Sequence, residues 1–268
     1  MHNNTHKTAV ITGATGGIGT HICAWLLNNG YVVLAACRSL DKWNKFLVQL
    51  QELKASTQQL KMVKVNLEDF ASIDEFVGEC KELSGSKIDI LINNAGMIAP
   101  EFKVTKDGYE RSIQVNYLAP IRITSGLMDC FNESSLVINT LSCTVSIGKG
   151  KYPVKAEGNE YEKQKKEFNN LINYSNTKLL FAKYTTKLHR ECNFNVCGVD
   201  PGIVNTGIIR LHRWYDPIAD ILFRPFIRSA SKGAVPAIKA LQYNFTAHNK
   251  TKMPLIFKYN SIKELGIE

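Results

Sequence analysis

Short apolar runs alternate along this chain with longer runs in which apolar positions recur every three or four residues. "TAVIT" (8–12) is a short apolar run bounded by glycine, the pattern of a strand buried on both faces. In residues 17–29, Ile18, Ile22, Trp25 and Leu26 share one stripe, which predicts a helix. The alternation continues. "YVVLAA" (31–36), "KMVKV" (61–65), "IDILIN" (88–93), "SLVINTL" (135–141) and "FNVCGV" (194–199) predict strands, while 41–55, 70–83, 108–131 and 162–190 predict helices. Buried strands separated by helices predict an α/β fold with one doubly wound parallel sheet and helices on both faces. No repeat or low-complexity linker divides the chain, so a single domain over 1–268 is expected. Two stretches break the rhythm: 143–161 is polar and charged, and 203–230 is rich in Ile, Leu, Trp, Phe and Arg.

Composition narrows the picture modestly. At 44% hydrophobic residues the chain can bury a sizeable core, and no apolar run approaches a membrane span. "MHNNTHK" has no apolar signal core, and seven scattered cysteines never fall in C-x-x-C spacing. Reduced thiols and a cytoplasmic location are expected. Six histidines never take ligand spacing, so no metal site is expected. A net charge of +9 admits nucleic acid, anionic lipid or a phosphorylated ligand. The basic residues are dispersed, however, and no nucleic-acid-binding signature accompanies them, so no nucleic-acid partner is expected.

The first chemical signal is "ITGATGGIGTHI", which follows the first strand and opens the first helix. Gly13, Gly17 and Gly19 have the spacing G-x-x-x-G-x-G. Glycines there let the backbone approach a pyrophosphate, and the helix N-terminus favours its charge. The cradle expected is Gly13, Thr15, Gly16, Gly17, Ile18 and Gly19, in a Rossmann-type sheet. The second strand ends in "AACRS", with Arg38 and no acid where an NAD-selective site often places one. An arginine near the ribose can hold a 2′-phosphate, so NADP(H) is favoured and NAD(H) stays open. Asp41 lies farther on, where a helix-capping role is expected.

The second signal is "YSNTK", which puts Tyr174 and Lys178 four residues apart, on one face of the predicted helix. Alone that pair means little. With "TGATGGIG", "NNAG" (93–96), "VNYLAP" (115–120), Ser142 and "DPGIVNT" (200–206) in order, the chain resembles the short-chain dehydrogenase/reductase family over nearly its whole length. The longer segment between Ser142 and Tyr174, together with "ACRS", is similar to the branch of retinol dehydrogenases and related carbonyl reductases. The membrane anchor that several of those relatives carry at the N-terminus is not seen in this sequence.

The resemblance implies roles. Tyr174 would be the proton donor or acceptor, and Lys178 would hold the nicotinamide ribose and lower the tyrosine pKa. Ser142 would stabilise the substrate oxygen, and Asn116 would bind water in a proton relay. Asn93, Ala95 and Gly96 would line the adenosine side of the cofactor pocket and brace the sheet. Asn66 and Leu67 would meet adenine, and Pro201, Gly202, Val204 and Thr206 would cradle the nicotinamide end. "NLED" (66–69) departs from the family's usual Asp-Leu, which leaves Asp69 as a competitor for the role of Asn66. An unshifted phenol near 10 is a poor base at neutral pH, and nearby positive charge favours the phenolate.

The expected function is therefore an NADP(H)-dependent oxidoreductase that interconverts a carbonyl and an alcohol on a small or medium apolar molecule. The alternative is a dinucleotide-binding regulatory or interaction protein with little catalysis; the intact serine, tyrosine, lysine and asparagine set speaks against it. Residues 203–230 fall where the family grows a substrate-covering segment. Leu211, Trp214, Tyr215, Ile218, Ile221, Leu222 and Phe226 are candidates to line it. A membrane-surface face there, with Arg210, Arg213, Arg224 and Arg228, stays open but is less favoured. The family's assembly habits imply a homodimer or homotetramer.

Overall fold

The structure is a computed structural model that describes residues 6–151, 153–204, 228–245 and 251–267. Its sheet is built from β1 (Thr8–Ile11), β2 (Val32–Cys37), β3 (Leu60–Lys64), β4 (Ile90–Asn93), β5 (Leu136–Thr140), β6 (Asn195–Val199), β7 (Leu255–Phe257) and β8 (Ile262–Glu264). The spatial order is β3-β2-β1-β4-β5-β6-β7-β8. Every neighbouring pair is parallel except the last, β7 with β8. Strand order reverses between β1 and β4, and ligands of such sheets bind beyond the carboxyl ends of the strands at that point.

Apolar alternation within each strand feeds two cores. Ala9, Ile11, Ile90 and Ile92 point to one face, where they meet Ile22 and Leu26 of α1 (Gly17–Asn28) and Phe46 and Leu50 of α2 (Leu40–Glu52). Val10 and Leu91 point to the other, against Ile73 and Phe76 of α3 (Phe70–Ser84).

The helix expected over 108–131 is a chain of pieces. It runs from α4 (Arg111–Ile113) through a π-helical turn (Gln114–Leu118) into α5 (Ala119–Gly126), then a 3-10 turn at Met128–Cys130. Glu110 caps its start by accepting from Ser112 N and Ile113 N. The helix expected over 162–190 is two, α6 (Asn159–Glu167) and α7 (Asn170–Glu191). They part at Phe168, whose ring packs on Phe102 at 5.8 Å, and at Asn169, whose side chain caps α7 by accepting from Ile172 N. A third helix, α8 (Ala230–Gln242), covers the first face beside α1 and was not expected; neither were β7 and β8.

Val204 and Arg228 form a parallel bridge, and Arg228 N donates to Ile203 O at 2.8 Å. The apolar candidates from Leu211 to Phe226, and Arg210, Arg213 and Arg224, lie outside the described residues. No described helix is long and apolar enough to cross a membrane.

Candidate active site

A cleft of about 580 Å³ opens where the strand order reverses. Its floor is the glycine turn after β1. Gly13 has φ +65°, and a Cβ there would sit 2.8 Å from Ala95 Cα. A Cβ on Gly19 would lie 2.1 Å from Gly13 O, so the turn closes only with hydrogen at both positions. Asn94 Nδ2 ties the turn to β4 by donating to Thr12 O and Gly13 O, both at 3.2 Å. Thr12 Oγ1 in turn accepts from Asn94 N and Ala95 N.

Gly13, Thr15, Gly16, Gly17, Ile18 and Gly19 all line the cleft, as do Arg38, Asn66, Leu67, Ala95 and Gly96. No side chain caps the N-terminus of α1, so its first N–H groups are left for a ligand. A glycine-floored cradle of this size at an uncapped helix N-terminus fits a dinucleotide pyrophosphate.

Other expected residues are placed differently. Asn93 does not line the cleft. It is buried in the sheet, where Nδ2 donates to Asn139 Oδ1 at 2.9 Å and Thr124 Oγ1 at 3.1 Å. Pro201, Gly202 and Val204 are not among the lining residues either, and Thr206 lies outside the described ones. Asp69 caps α3 and pairs with Lys106, so it is committed away from the cleft. Ser39, not Asp41, occupies the N-cap of α2; Asp41 sits in its first turn. Arg38 is already paired, with Glu68 at 3.2 Å. Sequence patterns give no role to Lys45, Gln49, Glu68, Asn94, Met97 and Arg111, which also line the cleft, as does Lys42, one helical turn on from Arg38 and able to substitute for it. Nothing in their spacing marks them, because they come from four separate stretches of the chain.

Gly96 joins the cleft to the catalytic candidates. A Cβ built there would be 3.5 Å from Lys178 Nζ and 3.6 Å from Asn116 Oδ1. Asn116 lies in the π-helical turn and clamps Met97: Oδ1 accepts from Met97 N and Nδ2 donates to Met97 O, both at 2.8 Å. Its amide also donates to Thr177 Oγ1 at 3.2 Å. π-turns recur at functional sites because the extra residue re-aims a side chain.

Lys178 is buried, and its Nζ donates to Thr140 O at 2.8 Å. Burial draws its pKa down to about 8, with the Asp200 carboxylate opposing. One turn earlier, Tyr174 lies with its ring centroid 5.8 Å from that ammonium. Burial pushes the phenol up to about 12, against a hydrogen bond with Ser142. The resemblance implies a phenol lowered by Lys178 together with oxidised nicotinamide; among the protein groups alone, burial is the largest influence and raises it. Ser142 Oγ accepts from Thr144 N at 3.3 Å and Thr144 Oγ1 at 3.1 Å, so its own proton remains available to donate. Thr144 was another residue the sequence did not single out.

The described residues hold no cluster of three or more potential metal ligands, and all seven cysteines are free thiols.

Known proteins agree with this geometry. The sequence model of the family described as short chain dehydrogenase matches residues 7–154. Bovine retinol dehydrogenase 12 is 31% identical over 85% of this chain and 71% of its own length. The WW domain-containing oxidoreductase of Drosophila melanogaster is 27% identical over 95% of this chain; the match spans 62% of that protein. Among solved structures, a blue fluorescent protein from a metagenomic library, in complex with NADPH, superposes with a TM-score of 0.69 at 21% identity, covering 97% of this chain and all of that one. With the glycine-floored cleft and the matches in accord, the chain belongs to the short-chain dehydrogenase/reductase family of oxidoreductases, enzymes that act on small molecules with a nicotinamide dinucleotide.

Proposed function

We propose that this chain is an NADP(H)-dependent oxidoreductase that interconverts a carbonyl and an alcohol on a small or medium apolar substrate, with Tyr174 as general acid and base. The carrying observation is the convergence of Lys178 and Asn116 on Gly96, at one end of the cleft, with the Tyr174 ring 5.8 Å from the Lys178 ammonium. The cofactor, when bound, supplies the hydride.

The chain does the rest. The α1 N-terminus holds the pyrophosphate, Asn66 and Leu67 meet the adenine, and Arg38 takes the 2′-phosphate. Pro201, Gly202, Val204 and Thr206 flank the nicotinamide end. A phenol near 12 keeps its proton at neutral pH, which suits reduction: Tyr174 Oη gives that proton to the substrate oxygen as charge builds there. Ser142 donates to the same oxygen. Lys178, titrating near 8, is charged at neutral pH and favours the phenolate left behind. Asn116, held at both ends of its amide, keeps the wall between Lys178 and the cleft in place and binds the relay water.

We further propose one domain over 1–268, with 203–230 as the substrate cover, a cytoplasmic location, and a homodimer or homotetramer. The test of the reaction is Tyr174→Phe, which keeps the ring and removes the transferable proton. Turnover should fall by about 10²–10⁴ while calorimetric cofactor binding survives; near-wild-type turnover on a confirmed substrate sinks the assignment.

A further inference from the structure

Three charged side chains from separate parts of the chain meet at the edge of the cleft. Arg38 follows β2, Glu68 follows β3, and Arg111 opens α4. Glu68 Oε1 accepts from Arg111 Nη2 at 2.7 Å and from Arg38 Nη1 at 3.2 Å. All three line the cleft with Lys42 and Lys45, and Glu68 is the sole acid among the described residues that line it.

The two links are unequal. Glu68 and Arg111 are only 17% and 24% exposed, and their contact is short. Arg38 is 51% exposed and its contact is longer, so water competes for that pair more strongly. Arg38 is therefore the arm that can leave, while Arg111 keeps the carboxylate where it is. Asn66 reinforces the placement, because its Oδ1 accepts from Glu68 N at 3.2 Å.

We propose that Glu68 is a specificity-determining residue that holds down the preference of this cleft for a 2′-phosphate. It acts partly through Arg38, as a positioning residue, and partly by its own charge. A 2′-phosphate must take Arg38 from Glu68 and then sit near a carboxylate that Arg111 holds in place. A dinucleotide without that phosphate meets neither obstacle. This rests on the reading that the adenosine end lies against Arg38, but not on which cofactor the wild type prefers: it concerns the direction in which the ratio of affinities moves.

The experiment is calorimetric titration of NADPH and NADH into wild type, Glu68→Gln, Arg38→Ala and the double variant. Glu68→Gln keeps the shape and removes the charge. It should tighten NADPH by about three- to tenfold, the scale of a partly screened charge pair, and leave NADH within about twofold. The gain should shrink in the Arg38→Ala background, and again in 1 M salt, where screening acts within about 3 Å. Should loss of the Arg111 partner unfold the protein, the doubly neutral Glu68→Gln, Arg111→Gln variant carries the same expectation. An unchanged NADPH-to-NADH ratio overturns the inference. So does weaker NADPH binding, which would mean that Glu68 orients Arg38 for the phosphate. A wild type that prefers NADH sinks the NADP assignment above while the shift on Glu68→Gln still stands. Binding of neither nucleotide overturns both.

Discussion

A lysine that titrates near 8 inside a folded chain, against an ordinary 10.5, carries a thermodynamic signature. Between those values the unfolded chain holds a proton that the native chain has released, so stability rises as pH climbs through that window. Below about 8 the native state bears the full cost of a buried charge, on the order of 3 kcal/mol from a shift of this size. The bond to Thr140 O offsets about 1 kcal/mol of it. Lys178→Met should therefore make the fold about 1–3 kcal/mol more stable at pH 7, with the difference shrinking from pH 8 to 10.5, while turnover collapses. Urea melts at pH 7 and pH 10 check this; a variant less stable than wild type at pH 7 contradicts it. At this scale the sequence was uneven. Tyr174 and Lys178 were singled out by their place in an ordered run of family motifs, because four-residue spacing alone means little. Glu68 and Arg111 were not, because their contact spans 43 positions and depends on how β3 and α4 lie.

β5 and α7 show how an element is fixed well enough to carry chemistry. Consecutive residues of β5 reach α7: Thr140 O receives Lys178 Nζ, and Asn139 Nδ2 donates to Thr185 Oγ1 at 3.0 Å. Asn139 also accepts from Asn93, so one buried amide links β4, β5 and α7. Asn139→Ala leaves the Asn93 amide without this acceptor and Thr185 without this donor, in a region closed to water. A loss of about 2–4 kcal/mol in chemical denaturation is expected, the sum of a small cavity and unsatisfied polar groups; a change under 1 kcal/mol would show that the link bears no load. β1 to β6 and α1 to α3 were legible to within a few residues, because strands covered on both faces read as continuous apolar runs and the helices over them as 3.6-residue stripes. The breaks were not. Asn169 caps α7, yet the apolar pattern runs on through it, and the π-turn around Asn116 leaves no mark in periodicity. α8 hides behind Pro236 in its interior and a core face of Ala234, Ala237 and Ala240.

At the scale of the whole molecule, the sheet puts the cleft over the reversal between β1 and β4, and the runs 111–130 and 159–191 send Ala119, Ile123 and Leu188 into the core on the face opposite α1 and α2. We expect these two runs to pair across a two-fold axis in a closed dimer or tetramer. Light scattering at working concentration checks this, and monomer alone contradicts it. The carboxyl-terminal third was the least legible part, because β7 and β8 have three residues each, too few for a pattern to repeat. The bridge from Val204 to Arg228 has a consequence for descent. Because the two flanks of 205–227 are already bonded to each other, lengthening or shortening what lies between them adds only a slowly growing closure entropy, roughly 0.6 kcal/mol per doubling. A change of length between those flanks is therefore expected to leave the sheet standing, with the inheritance of the scaffold uncoupled from the length of the stretch it carries.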